Sequence, residues 1–161
     1  MKIHTHVSDI RNPLERGHQT GTRFAEQIRT TTALYLDFFP RVGVPLSEAQ
    51  RIGENSLAAL EAWSPGLAAE VVGMASGAEL PLWQLASLNA RTEVLAARTR
   101  HSECSTTVHA PRGARAPQTL QTWDWHDSLC PHGLMLALHT ERGMNVKLFC
   151  EFGMLAKLGV N

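Results

Sequence analysis

The sequence predicts an α+β fold in which the helices come first and the strands follow. Two observations predict it. Upstream of about residue 103, long segments carry apolar residues at helical spacing between Pro, Ser and Gly boundary signals. Downstream, the apolar runs shorten, alternate, and are separated by turn residues. The chain's 161 residues are one domain's length, enough to bury a core.

Residues 13–39 read as one helix, with Phe24, Ile28, Leu34, Leu36 and Phe38 as its apolar face and Pro40 as its stop. Ser47, with Gln50 three residues on, has capping-box spacing and opens a helix running through Ile52, Leu57 and Leu60 to about Trp63. Pro65 suits the first position of a third helix, where its missing N–H has no partner in any case, and Gly77 suits that helix's end. A fourth helix spans 81–97. Leu82, Leu85, Leu88 and Leu95 form its apolar side, and Asn89, Arg91 and Glu93 must find polar partners or solvent.

After the junction, 106–110 and 120–125 read as strands of a hairpin joined through the Pro111-Arg112-Gly113 turn region. Residues 134–140 and 145–151 form a second pair, with Arg142-Gly143 at the turn. Lys157 to Asn161 reads as the start of a further strand, so the chain is expected to end inside a sheet.

Fifteen basic and fifteen acidic side chains cancel. No field of one sign attracts nucleic acid or an anionic membrane surface, so neither is an expected partner. The first ten residues lack the basic and apolar regions of a signal peptide, and no later run approaches the roughly 18 apolar residues of a membrane span. Cysteines at 104, 130 and 150 make an odd count without framework spacing, which fits a reducing compartment; cytoplasmic localisation is the expectation.

Cys104 stands at the junction of the two halves, in Ser102-Glu103-Cys104-Ser105-Thr106-Thr107. Cleavage of the bond before it would free an α-amine with a pKa of about 8, able to take the thiol proton at neutral pH, so one residue would supply both nucleophile and base. A buried apolar thiol is the competing reading for any free cysteine and is the expectation for Cys150. His126, Cys130 and His132 have ligand chemistry but no paired Cys-x-x-Cys, so ordinary loop residues are expected and no metal site is assigned. His4 and His6 alternate with Thr5 and Val7 and so share one face of a strand-like segment; a solvated or satisfied pair is expected rather than a metal site.

Several short strings occur in register: Arg16-Gly17-His18-Gln19-Thr20-Gly21, Gly73-Met74-Ala75-Ser76-Gly77-Ala78, Leu88-Asn89-Ala90-Arg91-Thr92-Glu93, Glu103-Cys104-Ser105-Thr106, Gln121-Thr122-Trp123-Asp124-Trp125, Glu151-Phe152-Gly153-Met154 and Lys157-Leu158-Gly159-Val160-Asn161. In order and spacing they resemble the acyl-coenzyme A:6-aminopenicillanate acyltransferase family of N-terminal-nucleophile cysteine hydrolases. The resemblance covers nearly all of this chain and corresponds to the family's N-terminal half. It implies an αββα sandwich, two antiparallel sheets between helical layers, of which this chain would supply the helical part and the first strands.

It further implies self-cleavage between Glu103 and Cys104, giving a helical segment of residues 1–103 and a catalytic chain that starts at Cys104 and runs through 104–161, all within one domain. Cys104 falls on the family's nucleophile and Asp124 on the position beside it. Trp123 and Trp125 would shape an apolar wall for an acyl group, while Arg91, Glu93 and Thr106 would support the site, with Asn89, Arg91 and Glu93 bracing the cleavage loop. The expected activity is hydrolysis or acyl transfer on an amide or thioester through an acyl-enzyme, without a cofactor, acyl-coenzyme A being a candidate co-substrate. The partner is then a small-molecule amide or acyl thioester.

Glu103 departs from the glycine that precedes the nucleophile in the penicillin enzyme. Family members are about twice this length, their other half carrying further strands and an oxyanion donor. The resemblance therefore also implies a missing C-terminal half or a second chain. A truncated, non-catalytic relative acting as a binding or interaction protein is the alternative from another class. Bile-salt and penicillin V hydrolases share the chemistry but place their cysteine next to the initiating Met.

Overall fold

The computed structural model describes residues 1–96, 98, 104–113, 116–123 and 125–156. Asn12 opens the first helix, α1 (Pro13–Arg23): its side chain accepts the Glu15 N–H at 3.1 Å, and Pro13 takes the first helical position. The helix expected over 13–39 is in fact two, because the backbone bends at Phe24 (φ −119°, ψ 29°), whose ring turns into a cluster with His4, His6 and Phe152. α2 (Ala25–Arg41) follows. Pro40 does not stop it; the helix ends one residue later at Arg41, and just beyond it Gly43 adopts φ +85° and returns its N–H to the Pro40 carbonyl.

α3 (Leu46–Trp63) begins one residue before the expected cap, with Pro45 rather than Ser47 at its N-cap and the Pro45 carbonyl accepting from Glu48 and Ala49. α4 (Pro65–Gly77) has the predicted bounds. The fourth expected helix is also divided, into α5 (Leu82–Asn89) and α6 (Arg91–Ala96), at Ala90 (φ −94°, ψ 19°). Residue 97, its expected end, lies outside the described residues, as does the strand start expected at 157–161.

Five strands are described. β1 (Lys2–Ser8) runs parallel to β4 (His132–His139), which is antiparallel to β5 (Asn145–Cys150), giving the order β1-β4-β5. β2 (Thr106–His109) and β3 (Gln118–Gln121) form the predicted hairpin. The second strand of that hairpin was expected over 120–125; it starts earlier and ends at Gln121, because Trp123 and Trp125 leave the ladder to pack elsewhere. The larger sheet is thus mixed, not antiparallel as the family resemblance implies. Among the described residues no helix is long and apolar enough to cross a membrane.

Leu134, Leu136, Leu138 and Cys150 point from one face of that sheet into the core, against Ile28, Tyr35, Phe39, Val71, Leu85 and Leu88 of the helices. On the opposite face Ile3, Val7 and Met135 remain exposed. The helices pack closely because α1 and α4 meet through glycines. A methyl placed on Gly17 would collide with the Glu70 carbonyl, on Gly21 with that of Met74, on Gly73 with that of Leu14, and on Gly77 with that of His18. In the same interface the buried Arg16 guanidinium forks onto Glu70 (Nε–Oε1 2.8 Å, Nη2–Oε2 2.6 Å) and donates through Nη1 to the carbonyls of Ile10, Arg11 and His139.

Gly73→Ala should therefore lower the free energy of unfolding by about 1–3 kcal/mol or more, since a backbone carbonyl rather than a movable side chain blocks the new methyl. Gly66→Ala, whose methyl meets only the Glu141 carboxylate and the Pro13 ring at 3.4 Å, should change it by less than about 1 kcal/mol. Urea titrations of the two variants followed by helical circular dichroism test the contrast.

Candidate functional site

Cys104 precedes β2 and is exposed. Its neighbour Ser105 is tied twice to Thr122: the Ser105 N–H donates to Thr122 Oγ1 at 3.0 Å, and the Thr122 N–H donates to the Ser105 carbonyl at 2.9 Å. These bonds extend the pairing one step beyond the ladder, whose last pair is Thr106 with Gln121, and so tie the residue after Cys104 to the segment that leaves β3. Along that segment Thr119, Gln121 and Trp123 are half-buried, whereas Gln118, Leu120 and Thr122 are exposed. Trp123 lies edge-on to Phe149 with 5.9 Å between ring centroids, so the half-buried side of the segment turns towards β5.

Trp125 turns into the helical layer and meets a buried polar cluster that no local sequence pattern announces. Its indole N–H donates to the Tyr35 hydroxyl at 2.7 Å, and that hydroxyl donates to Glu151 Oε2 at 2.9 Å. Arg91 lies 3.6 Å from Glu151 Oε1 with its guanidinium carbon 5.3 Å above the Trp125 ring. Cys130 Sγ donates to Glu151 Oε2 across 3.9 Å. Glu151 is 1% exposed and Tyr35 fully buried. Burial first, and then the Glu151 charge, push the Tyr35 hydroxyl far above its usual range, so it stays a donor. Two signals mark this cluster in the chain: its single tyrosine and the Glu151 that opens the Glu-Phe-Gly-Met string.

Of the sequence-predicted site residues, Glu103 and Asp124 lie outside the described residues. Cys104 lies next to Ser105, which is bonded to Thr122 beside Trp123, and Thr106 is exposed at the start of β2. Arg91 joins Trp125 in the cluster, where Trp125 is committed to Tyr35 rather than standing open as a wall. Glu93 is exposed and lines a small pocket of about 200 Å³ whose other walls, among them Ser56, Leu60 and Val71, all come from helices. Most of the cleavage loop that Asn89 was expected to brace lies outside the described residues, and Asn89 braces the turn after β5. Its Nδ2 donates to the carbonyls of Gly153 (2.8 Å) and Leu85 (2.9 Å), and its Oδ1 accepts the Leu155 N–H at 3.0 Å, pinning the turn after β5.

The histidines and cysteines scatter. His126 packs on Phe38, Cys130 on Glu151, and His132 beside His4 and Phe152. Among the described residues no three His, Cys, Asp or Glu side chains gather to hold a metal ion. Cys150 is buried in the core, as expected. His4 is half-buried and His6 buried with a hydrogen bond to Gln19, so the pair is only partly solvated or satisfied. Both contact Phe24, and each has a buried Nε2 without a hydrogen-bond partner. Comparison with protein-family models and with curated proteins returned no match.

Burial, and secondarily the Arg23 guanidinium, hold the His6 imidazole below its ordinary pKa, opposed by the Gln19 side chain. The unfolded chain therefore binds this proton more readily than the folded one. Stability tied to the neutral ring is fully present above about pH 6.5 and is lost as the pH falls from there through the lowered folded value. His6→Gln should lose less stability than the natural chain on acidification from about pH 7.5 to about pH 5, with urea midpoints as the measure. Equal losses would show that other groups drive the acid limb.

Proposed function

We propose that this chain belongs to a self-processing cysteine hydrolase or acyltransferase of the N-terminal-nucleophile type, with the αββα architecture that the family resemblance implies. The observation that carries the reading is the setting of Cys104. It is an exposed thiol between a helical and a strand half, and the residue after it, Ser105, is bonded to Thr122 at the end of a hairpin. An odd count of three cysteines without framework spacing supports a reducing, cytoplasmic setting.

In this reading the Cys104 thiol adds to the Glu103 carbonyl carbon. The Glu103–Cys104 C–N bond breaks, a thioester forms, and the thiol proton ends on the released amine. Water then cleaves the thioester, leaving a carboxyl on Glu103 and restoring the thiol. The freed amine of Cys104 next serves as base while the same sulfur attacks an amide or thioester substrate, expelling the amine or thiol and holding the acyl group until water or an acceptor amine takes it. Asp124 fixes the ammonium or the substrate amine. Trp123, half-buried against Phe149, offers the apolar surface for the acyl chain, and acyl-coenzyme A is one candidate donor.

Intact-mass measurement on the natural chain and on Cys104→Ala tests the reading. The natural chain should yield pieces of 103 and 58 residues, and the variant should stay whole. A natural chain that also stays whole would remove self-processing and favour a binding role.

A further inference from the structure

Two ties fix the segment that leaves β3, one on each side of residue 124. Before it, Thr122 grips Ser105 and Trp123 rests on Phe149. After it, Trp125 is held by a cluster drawn from three remote parts of the chain: Tyr35 in α2, Arg91 in α6, and Glu151 just past β5. Its chemistry is directional. The indole N–H has one donor function and spends it on the Tyr35 oxygen. The Tyr35 hydroxyl hydrogen then goes to Glu151, so the tyrosine relays the position of a buried carboxylate to the tryptophan. Arg91 completes the cage from the opposite side, covering the ring while lying beside the same carboxylate.

We propose that Tyr35, with Arg91 and Glu151, is a positioning residue for the Cys104 site: by fixing the Trp125 indole, the cluster anchors the segment that Thr122 bonds to Ser105, the residue next to Cys104. This rests on the self-processing reading and adds to it a control point in the helical half. A displacement of about 1 Å at a reacting centre costs up to a hundredfold in rate, so a buried anchor a few residues from Trp123 has leverage on the chemistry without touching it. Burial keeps the Tyr35 hydroxyl protonated throughout the working pH range, which suits a fixed relay rather than a proton shuttle.

The test follows Glu103–Cys104 scission by intact mass in freshly translated full-length chain, for the natural sequence, Tyr35→Phe, Thr122→Val and the double variant, with rates taken on the folded fraction. Tyr35→Phe should slow scission about tenfold to a hundredfold. Because Tyr35 and Thr122 act on the same placement from opposite sides of residue 124, their losses should couple, the double variant falling well short of the product of the two single effects. Trp125→Phe, which removes the indole N–H together with part of the ring that Arg91 covers, should slow scission at least as much as Tyr35→Phe and carries the test should Tyr35→Phe fail to fold. Scission that continues unchanged in both Tyr35→Phe and Trp125→Phe overturns the positioning role and leaves the self-processing reading intact. Multiplicative losses in the double variant overturn it likewise, since they are what two merely stabilising contacts give. A natural chain that never cuts overturns the self-processing reading itself, and the positioning role with it.

Discussion

The closeness of α1 to α4 is the constraint from which the rest of the structure follows. Gly17 and Gly21 on one helix and Gly73 and Gly77 on the other leave no room for a side chain between the backbones. Helices this close need their neighbouring polar groups accounted for, and Arg16 and Glu70, both buried, lie in the same interface. A buried guanidinium must satisfy its donors or suffer a large desolvation cost. Glu70 accepts from Nε and Nη2, and the two Nη1 hydrogens are shared among the carbonyls of Ile10, Arg11 and His139. The last of these belongs to β4, far away in sequence. One arginine therefore fixes the helical pair, the link out of β1, and the end of the central strand relative to each other.

That arrangement explains which features were legible in the sequence. Helical periodicity, Pro65 and the turn glycines depend on neighbours a few residues away, and the elements they announce are present: α4 with its stated bounds and both hairpin connections. The kinks at Phe24 and Ala90 were not legible, because each is set by distant partners. Phe24 turns to meet His4, His6 and Phe152. Asn89, beside Ala90, is bound to the turn after β5. Parallel pairing of β1 with β4 joins segments at opposite ends of the chain, and no local pattern encodes it.

The candidate site divides along the same line. Cys104 and Trp123 could be singled out as residue types at a junction, and the hairpin whose end they flank follows from local turn chemistry. Tyr35 and Glu151 could not, since a tyrosine within an apolar helical face reads as core and a glutamate at a strand end reads as solvated. Their significance lies only in the encounter, 2.9 Å apart in the interior. Trp125 changed meaning for the same reason: an apolar wall by residue type, it is a hydrogen-bond donor by position.

The elements on either side of the Glu103–Cys104 bond are interleaved rather than side by side, and this bears on what scission would do to the fold. β1 lies upstream of the bond and pairs along its whole length with β4, which lies downstream. Arg16 reaches from α1 to the His139 carbonyl, Asn89 from α5 to the 153–155 turn, and Tyr35 and Arg91 to Glu151. Each of these contacts crosses the cut without depending on the peptide link. The sheet has one strand from the first piece and two from the second, and the core draws on both, so neither piece keeps a complete apolar interior alone. Breaking that one bond would remove a covalent tether while leaving these ties in place. Were the proposed cut to occur, the interleaving would require the chain to fold first.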